Sequence, residues 1–231
     1  GDYHDLILAL QKDAALFFKL RSGSRGESAF RVEKNTIGMS GQTLAGHNLH
    51  NEQDIRLAWQ ELTRKGEVLI QPYMQNHLLL ESLDSEVMTL RVITRLTETG
   101  IATWFGFLYV QVPGDKIDRE YWLLSVDLNS GLLCDAFDHW NTKQAIQTNQ
   151  PLPIFLDVNP MPYWQDIKIY SEKAHVQLPR VWGIAWDWVI TPDGPKLLEG
   201  NSGWDLSPLS ELEINFFDIY RANTLHNNLT T

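Results

Sequence analysis

Residues 182–205, WGIAWDWVITPDGPKLLEGNSGWD, constrain this chain more than any other stretch. The run 184–190 alternates around a single acid, Asp187. Pro192-Asp193-Gly194 is turn chemistry: proline pre-sets its φ, and glycine takes a left-handed conformation without steric cost. Residues 196–201 then return as a second strand. A three-residue loop with Gly194 left-handed is a common hairpin connection, and it sets Thr191 opposite Pro195. Counting outward, Asp187 faces Glu199, and Asn201 lies two residues further along the same face. Two carboxylates and an amide oxygen converge in that register, with Trp186 and Trp188 on the opposite face. Hard oxygen ligands of this kind suit Mg²⁺. A two-residue loop would separate Glu199 from Asp187. The competing account is an ordinary hairpin whose polar residues face water.

The chain around this hairpin has 231 residues, enough for one large domain or two small lobes sharing a cleft. Hydrophobic residues at 43% and charged residues at 21% are ordinary for a globular protein. A net charge of −10 speaks against a nucleic-acid-binding surface. An anionic nucleotide would need a local cationic pocket or a metal to offset that field. The single cysteine, Cys134, excludes an intrachain disulfide and favours a cytoplasmic setting. No secretory leader opens the sequence. The longest apolar run, 103–112, is too short and too polar to span a bilayer, so no membrane partner is expected. Nine tryptophans suit a sugar-stacking surface, although tryptophan more often fills cores.

Taken in order, the chain opens with an amphipathic helix over 5–12, with Leu6, Ile7 and Leu10 on one side. Residues 16–20, LFFKL, read as a buried strand carrying one lysine, Lys19. A small-residue loop, Arg21 to Glu27, and a strand over 28–34 follow. Strand, glycine-rich loop, strand is a hairpin whose exposed N–H groups can approach a phosphate, and equally a plain flexible turn. It is not a Walker A loop, because no Gly-Lys-Ser/Thr opens a helix. Residues 38–51 read as a loop, and His47 and His50 within it as solvated. Asn51 caps a helix over 51–65, whose inner face is Ile55, Ala58, Trp59 and Leu62. A strand over 67–74 runs into Pro72.

Strands follow over 88–97, 101–112, 121–127 and 132–137, with a turn at Asn129-Ser130-Gly131. The first places Thr89, Arg91, Ile93 and Arg95 on one face. Two arginines in an apolar strand need anionic partners, such as Glu86 or Asp187. A proline-rich loop over 140–162 leads to a helix over 163–176, with Trp164, Ile167, Tyr170 and Ala174 inward. A last helix is expected over 209–225. No internal repeat is visible.

Asp187 followed by Glu199-x-Asn201 resembles the metal-binding signature of the ATP-grasp superfamily. The longer string WDWVITPDGPKLLEGNSGWD resembles, more narrowly, the sugar-transfer-associated ATP-grasp family. Its members show Gly-Trp-Asp, a Thr-Pro-Asp-Gly-Pro turn and Glu-Gly-Asn; Ala185 stands here where glycine is usual. The resemblance spans roughly 16–205. It implies an α+β fold, ATP-grasp-like, with two α+β lobes of mostly antiparallel sheet gripping a nucleotide between them. The N-terminal lobe, 1–70, would hold the lysine strand, glycine-rich loop and helix. The C-terminal lobe, 71–231, would carry the metal-binding hairpin.

The same resemblance assigns roles residue by residue. In the family a strand lysine precedes a small-residue loop over the nucleotide phosphates. Lys19 and the loop residues Gly23, Ser24, Arg25 and Gly26 take those places, with Leu20 where proline is usual. VLIQPYMQNH resembles the connector whose backbone reads the adenine edge, here Gln71, Pro72, Tyr73 and Met74. Gln71 stands where many members carry an acid, and Asn76 or His77 would fall near the ribose. Arg91 would contact the transferring phosphate and act with Lys19 in catalysis. Asp187, Glu199 and Asn201 would bind Mg²⁺ beside ATP. Members carry a further domain ahead of this part, and only eighteen residues precede Lys19. The resemblance therefore implies either a fragment of a longer chain or a protein that works without that domain.

The implied chemistry is ATP-dependent activation of a carboxylate as an acyl phosphate, followed by attack of an amine or similar nucleophile, in polysaccharide or secondary-metabolite biosynthesis. The acceptor is an unidentified small molecule. Three rivals stand beside it: a kinase of a hydroxylated acceptor, a glycoside hydrolase working through two carboxylates, and a non-catalytic nucleotide- or sugar-binding module.

Overall fold

Alternation of apolar residues builds the first layer. The structure is a computed structural model describing residues 2–21, 29–36, 38–81, 87–111, 121–138 and 159–204. It divides into two compact units, Gly1–Met74 and Gln75–Thr231. In the first, β1 (Ala15–Leu20) buries Leu16 and Phe18 and turns Phe17 and Lys19 to the other side. It pairs antiparallel with β2 (Phe30–Asn35) and β5 (Val68–Pro72), and β3 (Gly38–Thr43) and β4 (Asn48–Leu49) extend the sheet to the order β4-β3-β2-β1-β5. Helices α1 (Tyr3–Lys12) and α2 (Glu52–Lys65) cover the Phe18 face. The Asn51 side chain accepts from the Gln53 and Asp54 N–H groups, which fixes where α2 starts. Ile55, Trp59 and Leu62 then reach the sheet, where Phe18 stacks on Phe30 at 4.9 Å and meets Trp59 edge-on at 5.7 Å.

The stretch 38–51 is a strand pair rather than the loop its composition implies. Its glycines and polar residues have low strand propensity, but they fit an edge position. Ser40 donates to Glu33, and Gln42 accepts from Arg31. Gly41 lies where any side chain would run into the Arg31 carbonyl, so the close strand approach requires glycine there.

The second unit is a six-stranded antiparallel sheet of order β11-β10-β6-β7-β8-β9. Its strands are β6 (Thr89–Thr97), β7 (Gly100–Gln111), β8 (Tyr121–Val126), β9 (Leu133–Asp138), β10 (Gly183–Thr191) and β11 (Gly194–Asn201). A short helix α3 (Leu78–Glu81) leads in, and α4 (Trp164–Val176) packs on one face. Leu90, Val92, Leu108, Trp186 and Trp188 meet Trp164 and Ile167 there. Burying polar groups in that layer demands partners. Trp186 Nε1 donates to Thr94 Oγ1 at 2.8 Å, and Thr94 Oγ1 lies 2.7 Å from His175 Nδ1. His175 Nε2 lies 2.8 Å from the Val181 carbonyl, which can only accept, so that nitrogen carries a proton. The inward face of α4 is thus Trp164, Ile167, Ser171 and His175, while Tyr170 stands 48% exposed. Helical spacing alone favours Tyr170; the hydrogen bonds to Trp188 and Thr94 favour the polar pair.

The glycine-rich loop residues Gly23, Ser24, Arg25 and Gly26, most of the 140–162 loop and the helix expected over 209–225 lie outside the described residues. Among the described residues, no helix is long and apolar enough to cross a membrane.

Gly200 sits against the Trp186 ring, where a Cβ would approach within 2.7 Å. We expect Gly200→Ala to cost about 1–3 kcal/mol through overpacking. A urea melt monitored by tryptophan fluorescence reads this directly, and an unchanged midpoint would refute it.

Candidate functional site

Strand β10 is buried along its whole length, so its one acid needs compensation in place. Asp187 is 5% exposed, and β6 supplies its partner: Arg91 is its cross-strand neighbour. Arg91 Nε donates to Asp187 Oδ1 at 2.7 Å, and the terminal Nη2 donates to Oδ2 at 2.8 Å, a two-pronged pair. Burial works against the Arg91 charge, but the hydrogen bonds and charge of Asp187, with Tyr109 and Glu199 nearby, outweigh it and hold its pKa above the ordinary value. The guanidinium also lies 5.2 Å from the centre of the Tyr109 ring.

On the other side of β10, Asp187 faces Glu199, the pairing the hairpin was expected to have. The route to it differs. The loop is two residues, Pro192-Asp193, with Thr191 opposite Gly194 rather than Pro195. Gly194 takes a positive φ of 110°, as turn chemistry requires. A β-bulge between Trp188 and Asp187 then takes up Leu198 and restores the Asp187–Glu199 pair. Hydrophobic pattern does not locate such a bulge, because one extra residue and a longer loop shift the register equally.

Arg91, Asp187 and Glu199 therefore form a row across β6, β10 and β11, with Asn201 beside it. Asn201 Nδ2 lies 3.3 Å from Asp187 Oδ2 and 3.2 Å from Glu199 Oε1. Glu199 is exposed, and Asn201 is half-buried. Oxygen donors of this kind fit a hard divalent cation such as Mg²⁺. Turning the Asn201 amide over brings Oδ1 to the position of Nδ2, and each carboxylate keeps lone pairs beyond those in use. Among the described residues no three His, Cys, Asp or Glu side chains could hold a metal, so the amide would be the third donor. Both Asp187 oxygens accept from Arg91, the bonding of an ionised acceptor rather than of a proton donor.

The remaining expected site residues belong to other elements. Lys19 is half-buried on β1, opposite Leu69, and makes no ion pair among the described residues. Gln71 pairs with Phe17 on the same sheet; Pro72 is exposed, and Tyr73 and Met74 are half-buried. His77 accepts from the Leu79 N–H at 3.2 Å and meets Tyr163 edge-on at 6.0 Å. Asn76 is 4% exposed, and its Oδ1 accepts from the Met88 N–H at 2.9 Å, a structural bond. Reading by sequence passed over Arg31, whose Nη1 donates to the Tyr73 hydroxyl at 2.7 Å. Arg31 stands between the apolar Phe30 and Val32, and that placement is the signal that could have found it. His47 and His50 are exposed, as expected.

Helices over two mostly antiparallel sheets, with an Asp/Glu/Asn row on one strand pair, describe an α+β protein of the ATP-grasp class. The family model for sugar-transfer associated ATP-grasp matches residues 60–212, more than half of the chain, and the chain belongs to that family. The span includes Arg91, Asp187, Glu199 and Asn201 and begins after Lys19. No curated protein matches the chain. ATP-grasp membership brings ATP-dependent, ligase-like chemistry, which in this superfamily generally uses ATP with Mg²⁺.

Removing one member of the Arg91–Asp187 pair leaves the other charge nearly buried. We expect Arg91→Ala to lose about 3 kcal/mol of stability, and Arg91→Lys to recover only part, because an ammonium cannot grip both oxygens. Asp187→Asn combined with Arg91→Ala should cost less than the two singles together. Additive losses in urea denaturation would refute this coupling.

Proposed function

We propose that the protein is an ATP- and Mg²⁺-dependent ligase that activates a carboxylate as an acyl phosphate for attack by an amine or similar nucleophile. The observation that carries this reading is the row Arg91–Asp187–Glu199–Asn201 on one sheet face. Asp187, Glu199 and Asn201 would hold the cation, which when bound offsets phosphate charge. An acceptor carboxylate oxygen forms a bond to the γ-phosphorus as the bond to the β–γ bridging oxygen breaks, and ADP leaves. The incoming nucleophile then attacks the acyl carbon, phosphate leaves and the nucleophile loses its proton. Arg91 stabilises charge on the transferring phosphoryl group. Held by Asp187 and backed by Tyr109, its guanidinium is oriented before substrate arrives. Lys19 and the loop residues Gly23, Ser24, Arg25 and Gly26 would meet the nucleotide phosphates. The connector residues Gln71, Pro72, Tyr73 and Met74, followed by His77, would meet the base and ribose. The family's association with sugar transfer supports a carbohydrate-linked acceptor.

Millimolar Mg-ATP should raise the melting temperature by mass action, and ATP without Mg²⁺ should raise it less. No shift in a folded sample counts against the assignment. Glu199→Gln keeps the shape and removes the charge. ADP release with a competent acceptor should fall roughly 10²–10³-fold, the effect of losing one preorganised electrostatic contact. His47→Ala, on an exposed turn, should leave turnover unchanged. Near-normal turnover in Glu199→Gln would sink the catalytic reading and leave a nucleotide-binding module.

A further inference from the structure

Among the described residues, the tryptophans whose side chains are described divide into two populations. Trp59, Trp164, Trp186 and Trp188 are at most 5% exposed and belong to cores. Trp104, Trp182 and Trp204 are only half-buried and gather on the Arg91 face of the six-stranded sheet. Trp182 and Trp204 stack at 5.9 Å with their planes 16° apart, and Trp104 stands across both, at 6.0 Å and 6.5 Å. The Trp204 ring lies over Gly183 of β10, and its Nε1 donates to the Gly183 carbonyl at 3.3 Å. A second β-bulge, between Ile93 and Thr94, inserts Trp104 as the extra residue of β7. Bulges re-aim side chains and gather beside functional sites.

One cation accompanies these rings. Arg95 lies 4.4 Å over the Trp104 ring and opposite Gly183. Among the described residues it meets no carboxylate, in a chain of net charge −10. Burial lowers its pKa, so its charge is incompletely compensated. Arg91 and Arg95 share one face of β6 four residues apart, about 13 Å along an extended strand. Between them the floor is apolar: Ile93, Ala185 and Phe107.

Resting on the ligase reading above, we propose that Trp104, Trp182, Trp204 and Arg95 form the acceptor subsite and that the acceptor is an acidic sugar. A pyranose ring presents a face of C–H bonds suited to a flat indole surface, and its carboxylate meets the Arg95 guanidinium. The carboxylate at Arg95 is an anchor, distinct from the group that reacts near Arg91. Pockets that combine apolar walls with a few placed polar groups are the ordinary form of small-molecule sites.

Calorimetric titration of the full chain, with and without Mg-ATP, tests this. The probes are an oligogalacturonide, a neutral maltooligosaccharide of equal length, and benzoate. The oligogalacturonide should bind best. Arg95→Gln should weaken it about tenfold, the scale of one charged hydrogen bond, down to the level of the neutral probe. Trp182→Leu should weaken both sugars, with Trp204→Phe as the milder variant if the first does not fold. Mg-ATP affinity should be unchanged in each. Absent oligogalacturonide binding by folded protein that still binds Mg-ATP would overturn the subsite alone, as would unaltered affinity in Arg95→Gln or tighter binding of benzoate. Loss of Mg-ATP binding with sugar binding intact would overturn the ligase reading instead.

Discussion

An acid in the middle of a fully buried strand has to be neutralised by its own sheet, and the pairing of Asp187 with Arg91 does that. Two charge-assisted hydrogen bonds of 2.7 and 2.8 Å tie β6 to β10 at the centre of the six-stranded sheet. An isolated carboxylate at that depth would cost several kcal/mol. The pair therefore fixes which face of β10 is polar. Because side chains alternate, the same choice sends Trp186 and Trp188 to the opposite face, where Thr94 of β6 and Ser171 of α4 accept from their indole nitrogens. The core and the candidate site are consequences of one register.

Much of this was legible in the sequence because the relevant periods are short. Alternation located β1, β6, β7 and β10, and the Asn51 cap fixed the start of α2. The convergence of Asp187, Glu199 and Asn201 was reached from a turn assignment one residue too long, and the bulge at Leu198 cancelled the error. Bulges are set by packing across three strands, so no local pattern announces them. The strands over 38–49 were hidden because glycine and polar residues fit an edge only once β2 is there to pair with. The inward face of α4 was misassigned at Tyr170 because helical spacing ranks apolar residues by hydrophobicity, whereas Ser171 and His175 are drawn in by hydrogen bonds.

Two of the three register shifts of the six-stranded sheet act on one sheet face. The first, on β11, brings Glu199 back level with Asp187; the second, on β7, adds Trp104 next to Arg95. Each lies at a point where a strictly regular ladder would aim a side chain elsewhere. Between them the sheet stays regular, and its face is apolar and closely packed: Phe107 is 1% exposed and Ile93 2%. A third register shift, between Leu124 and Val126 where β8 meets β9, lies instead among buried core residues.

The contrast between the two arginines of β6 sharpens this division. Both stand on one face of one strand, so sequence pattern treats them alike. Arg91 meets a carboxylate that its own sheet cannot leave unpaired, and the bond orients it whether or not a ligand is near. Arg95 meets the face of an indole, an attraction worth about 0.5–2 kcal/mol and well short of the bidentate pair. A guanidinium held that way keeps most of its hydrogen-bond donors for an incoming anion. One strand therefore carries a cation committed to the architecture and a cation held in reserve, and they differ only in what β10 places opposite them: an aspartate in one case, a glycine in the other.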